Sequence, residues 1–418
     1  MTKKIFNKNR YIYWCIRIYL MVVLFLYTYS TGINTGELYF KQAIIMFYLG
    51  IIIYLAYCFM IKKYKILKGV DIFDISIIIL VYYIVFSSIL YDRSFTTNIN
   101  LSILIILMYL VVKTLKFESI EFGFKMVVFR FNFLFETFIY FIFLTTIVAF
   151  FNQINIFSLF PIADITYSKR AQSWFNNSTM YGVNIAIAIM FCFYKYNVSS
   201  NKHKLVIIME IIWFFYWLLL AGGRTGLMML LVGFTLYILL SYKEKVLFFL
   251  GPPFLLVIIF YNAITDYLYS NFVIFSRFNS GDTLGARDVM FYEVIDFMSK
   301  QDLVNQLFGM GTNSYNYKYR QEFTFGQHSG LLKFLVENGS IFIIIYSTFI
   351  LLVVINYLIS IKKSANPIKK NLLIVGCALT IMLFIGETMV VMTMTANYYF
   401  ALILLLAAIP NILYSREK

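Results

Sequence analysis

Arg224, Arg287 and His328 are the residues of this sequence best placed by type and spacing to do chemistry, and the chemistry is that of anions and proton transfer. The run Gly222-Gly223-Arg224-Thr225-Gly226 makes a minimal turn between two long apolar stretches. Arginine offers a planar set of donors suited to a phosphate, and the flanking glycines, Gly223 among them, let such an anion approach the backbone. The plain alternative is an interfacial anchor, because arginines at helix ends commonly snorkel to water. Arg287 adds weight to an anion site. At roughly 100° per residue it falls among Leu284, Phe291, Val294, Ile295 and Met298, on the apolar stripe of a helix running from an Asp282 or Thr283 cap to about Lys300. If the stripe faces the membrane, Arg287 meets a lipid-linked diphosphate or, by ordinary snorkelling, a phospholipid head group. Arg277, Arg170 and Lys169 either join the same positive pocket or stay solvated in their loops. His328 immediately precedes a short helix starting near Ser329, whose positive end favours a neutral imidazole able to accept a proton. A loop histidine bonded to backbone is the alternative.

Acidic residues also lie inside apolar stretches, Asp74, Glu136 and Glu210 near inner ends and Glu387 near an outer end. Such acids serve as proton relays or as halves of structural ion pairs. Their scatter in depth argues against a single relay. Only Glu387 lies at the depth of Arg224 and His328, where it can touch a substrate. No metal centre is expected, since His203 falls in an inner loop and His328 in an outer one. Cys15, Cys58, Cys192 and Cys377 are dispersed in apolar runs without CxxC spacing and read as packing residues. The sequence has no Walker A motif and no glycine fingerprint after a strand, so no cofactor is expected. Energy has to come from the substrate or from a gradient.

The elements that must position these residues are membrane helices. The 418-residue chain is 61% hydrophobic and 13% charged, far from the balance of a soluble domain. Apolar runs of about 18–22 residues recur, long enough to span a bilayer core and too continuous for barrel strands. Twelve spans are expected, at about 11–29, 42–61, 72–91, 98–115, 132–152, 176–196, 204–221, 225–242, 246–265, 340–360, 371–388 and 394–412. The basic segment before the first span reads as part of an anchor, because no small-residue cleavage site follows it. The net charge of +15 is distributed as topology signals, not as a nucleic-acid surface. With both termini cytoplasmic, 23 of the 35 Lys and Arg residues fall on the inner side and every inner loop is basic. The expected organisation is therefore an all-α polytopic membrane protein in three parts. Residues 1–265 hold spans 1–9, residues 266–339 form a long, partly helical outer loop, and residues 340–418 hold spans 10–12 and a tail. The loop is too long to lack structure or function. Its second helix, about Ser329 to Glu337, ends at Asn338-Gly339, so the chain is expected to dip into the membrane there and turn.

Four segments resemble the bacterial O-antigen and capsule repeat-unit polymerases (Wzy-type) and the related O-antigen ligases. They are Arg170 to Asn177, Ala221 to Gly226, Gly285 to Phe291 with Arg287, and Gln327 to Gly339. The last is the most specific, with a histidine followed by a leucine-rich helix ending Glu-x-Gly. Here Ser329 stands where that family commonly has Asn, and Asn176-Asn177-Ser178 departs from its frequent Asn-Pro-Asn. The resemblance implies glycosyl transfer between undecaprenyl-diphosphate-linked oligosaccharides at the outer face of the bacterial cytoplasmic membrane, without metal. It also implies a chain-length regulator as a partner. Under it, Arg224 and Arg287 stabilise the departing diphosphate and His328 takes the proton of the acceptor hydroxyl. A ligase acting on a lipid A–core acceptor is the alternative within the same chemistry. A flippase or other secondary transporter is the alternative from another class, and would place charges at midplane and show related halves.

Overall fold

The computed structural model describes residues 10–30, 36–62, 64, 71–90, 95–153, 173, 175, 178–242, 287–311, 314–317, 322–323, 329–389 and 397–413. Among these residues the regular structure is entirely helical. In chain order the helices are α1 Arg10–Ser30, α2 Gly36–Ala56 with a π turn Tyr57–Ile61, α3 Ile72–Leu90, α4 Phe95–Phe122 and α5 Phe124–Gln153. Then come α6 Ser178–Val198, α7 Asn201–Ala221, α8 Arg224–Tyr242, α9 Arg287–Ser299, α10 Leu303–Phe308 and α11 Ser314–Tyr317. The chain closes with α12 Gly330–Lys363, α13 Pro367–Met389 and α14 Asn397–Leu413.

Six of these, α2, α5, α7, α8, α12 and α13, are long and apolar enough to cross a membrane, and α1, α3 and α14 carry shorter apolar stretches. Their outer faces have the surface such helices need. Leu205, Met209 and Ile212 of α7 and Ile344, Leu351, Ile355 and Leu358 of α12 are exposed, which water would penalise and lipid does not. The chain is a multi-pass membrane protein. Eleven of the twelve expected spans coincide with helices, while 246–265 lies outside the described residues. The fourth and fifth spans are parts of longer helices, α4 and α5, which meet at Gly123. Apolar content marks where lipid begins, but backbone hydrogen bonding carries a helix beyond that point.

Contacts divide the chain into two compact units, residues 1–50 with 129–227, and residues 51–128 with 228–418. In the first, α6 is the centre, with every residue from Tyr181 to Cys192 enclosed. Phe191 stacks on Phe135 of α5 with ring centroids 4.1 Å apart, and the Tyr194 hydroxyl donates to Asn132 Oδ1 at 2.6 Å. Arg17 of α1 pairs with Glu136 of α5 at 3.0 Å, with its guanidinium near the rings of Trp14, Phe133 and Tyr140. Opposite charge and ring faces together offset the desolvation of that arginine. Lys195 meets Glu210 at 3.6 Å.

In the second unit the start of α3 is held by a reciprocal cap. Asp74 N–H donates to Asp71 Oδ1 at 3.0 Å and Asp71 N–H to Asp74 Oδ2 at 2.9 Å, so two backbone donors at a helix end are satisfied. Two lysines of α4 then pair with those carboxylates, Lys113 with Asp74 at 2.7 Å and Lys116 with Asp71 at 2.9 Å. Asp74, Glu136 and Glu210 thus each meet a base from a neighbouring helix, the arrangement of structural ion pairs. All four cysteines are free thiols, buried except for Cys15.

Candidate functional site

α12 is two helices joined at a break. Gly339 has φ 77° and ψ 178°, a conformation that essentially only glycine adopts, and it separates a half-helix, residues 330–338, from the long part that ends at Lys363. From Ser340 to Lys362 the rise is roughly 33 Å at about 1.5 Å per residue, close to the thickness of a hydrocarbon core. The half-helix ends at the Asn338-Gly339 pair, where the sequence led us to expect a turn.

Both of its ends are tied down. Ser329 caps the start, its hydroxyl accepting from Leu332 N–H at 3.4 Å. At the other end, Met310 N–H donates to Val336 O at 2.9 Å and Gly311 N–H to Glu337 O at 3.0 Å, and the Tyr83 hydroxyl donates to Asn338 O. Carbonyls that a helix C-terminus leaves without intrahelical partners are thus satisfied by the loop after α10 and by α3. Ser340 Oγ reaches Gln306 O at 3.0 Å, fastening α10 to the beginning of the long part. A side chain at 339 would overlap the Leu307 carbonyl and come within 2.5 Å of Gly309 N. Gly339→Ala is expected to cost about 1–3 kcal/mol from backbone strain alone. Limited proteolysis of the α9–α12 region, with thermal unfolding of the same variant, checks this.

The two faces of the half-helix differ. Leu332 and Val336 join Met290, Val294 and Met298 of α9, Met310, Tyr315 and Phe323 in one buried apolar cluster. This corrects the expected stripe of α9. Val294 and Met298 turn to the protein together with Met290, whereas Phe291 and Ile295, assigned to the same stripe, are exposed. α9 is apolar on two sides, and packing against the half-helix selected which is buried.

The opposite face carries charge. Gly330, Lys333 and Glu337 recur at helical spacing, Lys333 and Glu337 are buried, and Lys333 Nζ lies 3.9 Å from Glu337 Oε1. Lys333 was not singled out from the sequence, and Glu337 entered only as the end of the helix and of its Glu-x-Gly motif, although a Lys and a Glu four apart in an otherwise apolar helix were a legible signal. Glu387 of α13 comes to the first turn of this helix. It is fully enclosed, and a Cβ placed on residue 330 would overlap its Oε1. Tyr346, also enclosed, lies close enough for the Glu387 charge to act on its hydroxyl. The Tyr346 hydroxyl and the Asn338 side-chain amide have no hydrogen-bond partner among the described residues. Buried polar atoms of that kind are uncommon, and each calls for an explanation.

Arg224 belongs to the other unit. It is the first residue of α8, 7% exposed, and follows Gly222, whose left-handed conformation ends α7. A Cβ on Gly223 would lie 3.1 Å from Thr179 Cα, and one on Gly226 would lie 2.6 Å from the Gly182 carbonyl. These two glycines thus let the turn and α8 pack on α6. Arg287 opens α9, and its side chain lies outside the described part of the structure. His328, Arg277, Arg170 and Lys169 lie outside the described residues, as do Leu284 and the Asp282 or Thr283 cap. Of the candidate residues, the structure places Glu387 against the start of the half-helix, and Arg224 with Gly223 in the turn on α6. Among the described residues no group of three His, Cys, Asp or Glu side chains could hold a metal ion. No protein-family model matches this chain, and no curated protein matches it.

Proposed function

We propose that this chain is a membrane glycosyltransferase that joins undecaprenyl-diphosphate-linked oligosaccharide repeat units into O-antigen or capsular polysaccharide. The reading places it in the bacterial cytoplasmic membrane with twelve spans, both termini cytoplasmic and the reaction at the outer face. The observation that carries it is the half-helix 330–338, which Gly339 separates from the long part of α12 and which starts at Ser329, directly after His328 in the sequence. It falls in the segment on which the resemblance is most specific. The pairing of the other intramembrane acids with bases also favours an enzyme over a proton-coupled transporter.

In this reaction an acceptor sugar hydroxyl attacks the anomeric carbon of the donor, and the bond to the lipid diphosphate breaks with its electron pair on the leaving oxygen. A diphosphate leaves as a stable anion, so cations replace the carboxylic acid that glycosidases use to protonate an alkoxide. Arg224 and Arg287 neutralise that anion, and His328 accepts the hydroxyl proton. Lys169, Arg170 and Arg277 add positive charge for the incoming lipid diphosphate.

Purified protein reconstituted in liposomes with lipid-linked repeat units, without added metal or nucleotide, tests the proposal. A ladder of products differing by one repeat is expected. A single addition to a lipid A–core acceptor would identify a ligase instead. Lipid translocation without bond formation would sink the enzyme reading.

A further inference from the structure

We infer that Glu387 is a positioning residue, whose carboxylate, seated against the first turn of the half-helix, determines where Ser329 and Gly330 lie. Three observations converge on this. Glu387 is fully enclosed in α13, so its charge has to be compensated by protein groups. Its Oε1 occupies the space that any side chain at position 330 would take, so carboxylate and helix start are in direct contact. The contact falls at the electropositive end of the half-helix, where a negative charge is stabilised by the backbone amides. Lys333 and Glu337 follow residue 330 at helical spacing on the same helix, with Lys333 Nζ 3.9 Å from Glu337 Oε1.

The arrangement has a consequence for the chain that enters the half-helix. Residues two apart lie within about 7 Å of one another, so the position of residue 330 restricts that of His328. The C-terminal end of the half-helix is held by backbone hydrogen bonds to Met310 and Gly311. Among the described residues the N-terminal end is held by the Ser329 cap, by the packing of Leu332 in the apolar cluster and by the contact with Glu387, of which Glu387 is the one that lies on α13. In its consequence for catalysis the inference rests on the proposed glycosyl transfer. In its structural content it does not.

Hydrogen exchange of the full-length protein in lipid nanodiscs tests that content. Glu387→Gln keeps the shape and removes the charge, and is expected to speed exchange of the amides of residues 329–333 about tenfold while residues 370–380 of α13 stay protected. Gly330→Ala, which pushes the carboxylate away without altering it, is expected to speed the same amides. Glu387→Asp, which retains charge on a shorter side chain, is expected to recover part of the protection. Unchanged exchange at 329–333 in both Glu387→Gln and Gly330→Ala overturns the inference, as does loss of protection throughout α13 in both. Where wild-type protein forms chains, Glu387→Gln is expected to lower kcat with little change in KM. Absence of chain formation by the wild type would remove the proposed reaction and leave the exchange result standing.

Discussion

Arg224→Ala is expected to lower the rate of chain formation by about 10²–10³-fold, the effect of removing one preorganised donor from a developing anion, while the protein still inserts and folds. The placement of this arginine is the reason. It is the first residue of α8, where free backbone amides already make an electropositive end, and it is nearly enclosed. A cation there works against the helix dipole, whereas an arriving diphosphate would gain from guanidinium and amides together. Arg224→Lys keeps the charge but loses the planar set of donors, and is expected to recover only a small part of the rate. Single-turnover product formation in proteoliposomes, read beside the thermal midpoint of each variant, separates this from an anchoring role. An interfacial anchor would give Arg224→Ala full turnover, and Lys would serve as well as Arg.

The largest expected effect on stability belongs to the pair at the start of α3. Lys113 and Asp74 are each only 3% exposed and meet at 2.7 Å. Removing one partner leaves the other as an uncompensated buried charge, so Asp74→Ala is expected to destabilise the second unit by about 3–5 kcal/mol. It also removes the acceptor for Asp71 N–H. Replacing both partners, as in Asp74→Asn with Lys113→Met, is expected to cost less than the single change, because no lone charge remains buried. Denaturation in mild detergent, followed by the signal of the second unit, measures both. The same cluster makes this end of the protein sensitive to acid. Burial of Asp71 works against its charge. The hydrogen bond from Lys116, the Asp74 amide and the charges of Lys116 and Lys113 prevail, holding its carboxyl below the ordinary value. A carboxyl lowered in this way contributes stability above the ordinary aspartate range, and that stability is lost as pH falls through the lowered value. Unfolding is therefore expected to become easier on acidification below about pH 4.

Much of the frame was legible because it depends on local and compositional properties. Continuous apolar runs predicted the helices, and the Asn338-Gly339 pair predicted where the half-helix stops, since a backbone with positive φ demands glycine. Ser329, followed by Gly-Leu-Leu-Lys, marked its start. The buried face of α9 was not legible in the same way. Phe291, Val294, Ile295 and Met298 all satisfy a helical period, and so do Met290, Val294 and Met298, so periodicity left two stripes to choose between. Nor did the sequence say that Glu387 would meet residue 330, because the two are more than fifty positions apart and joined by no pattern.

The sequence by itself determined an apolar, helical membrane chain, the approximate places of most of its long helices, and the one glycine at which α12 must bend, because hydropathy and backbone sterics act within a few residues. Only the tertiary structure decided which face of α9 is buried, that Lys113 and Lys116 reach the α3 cap, and that the carboxylate of Glu387 sits at the start of the half-helix. Those outcomes depend on which helices come into contact, and a buried charge or a two-faced helix takes its role from the partner it meets.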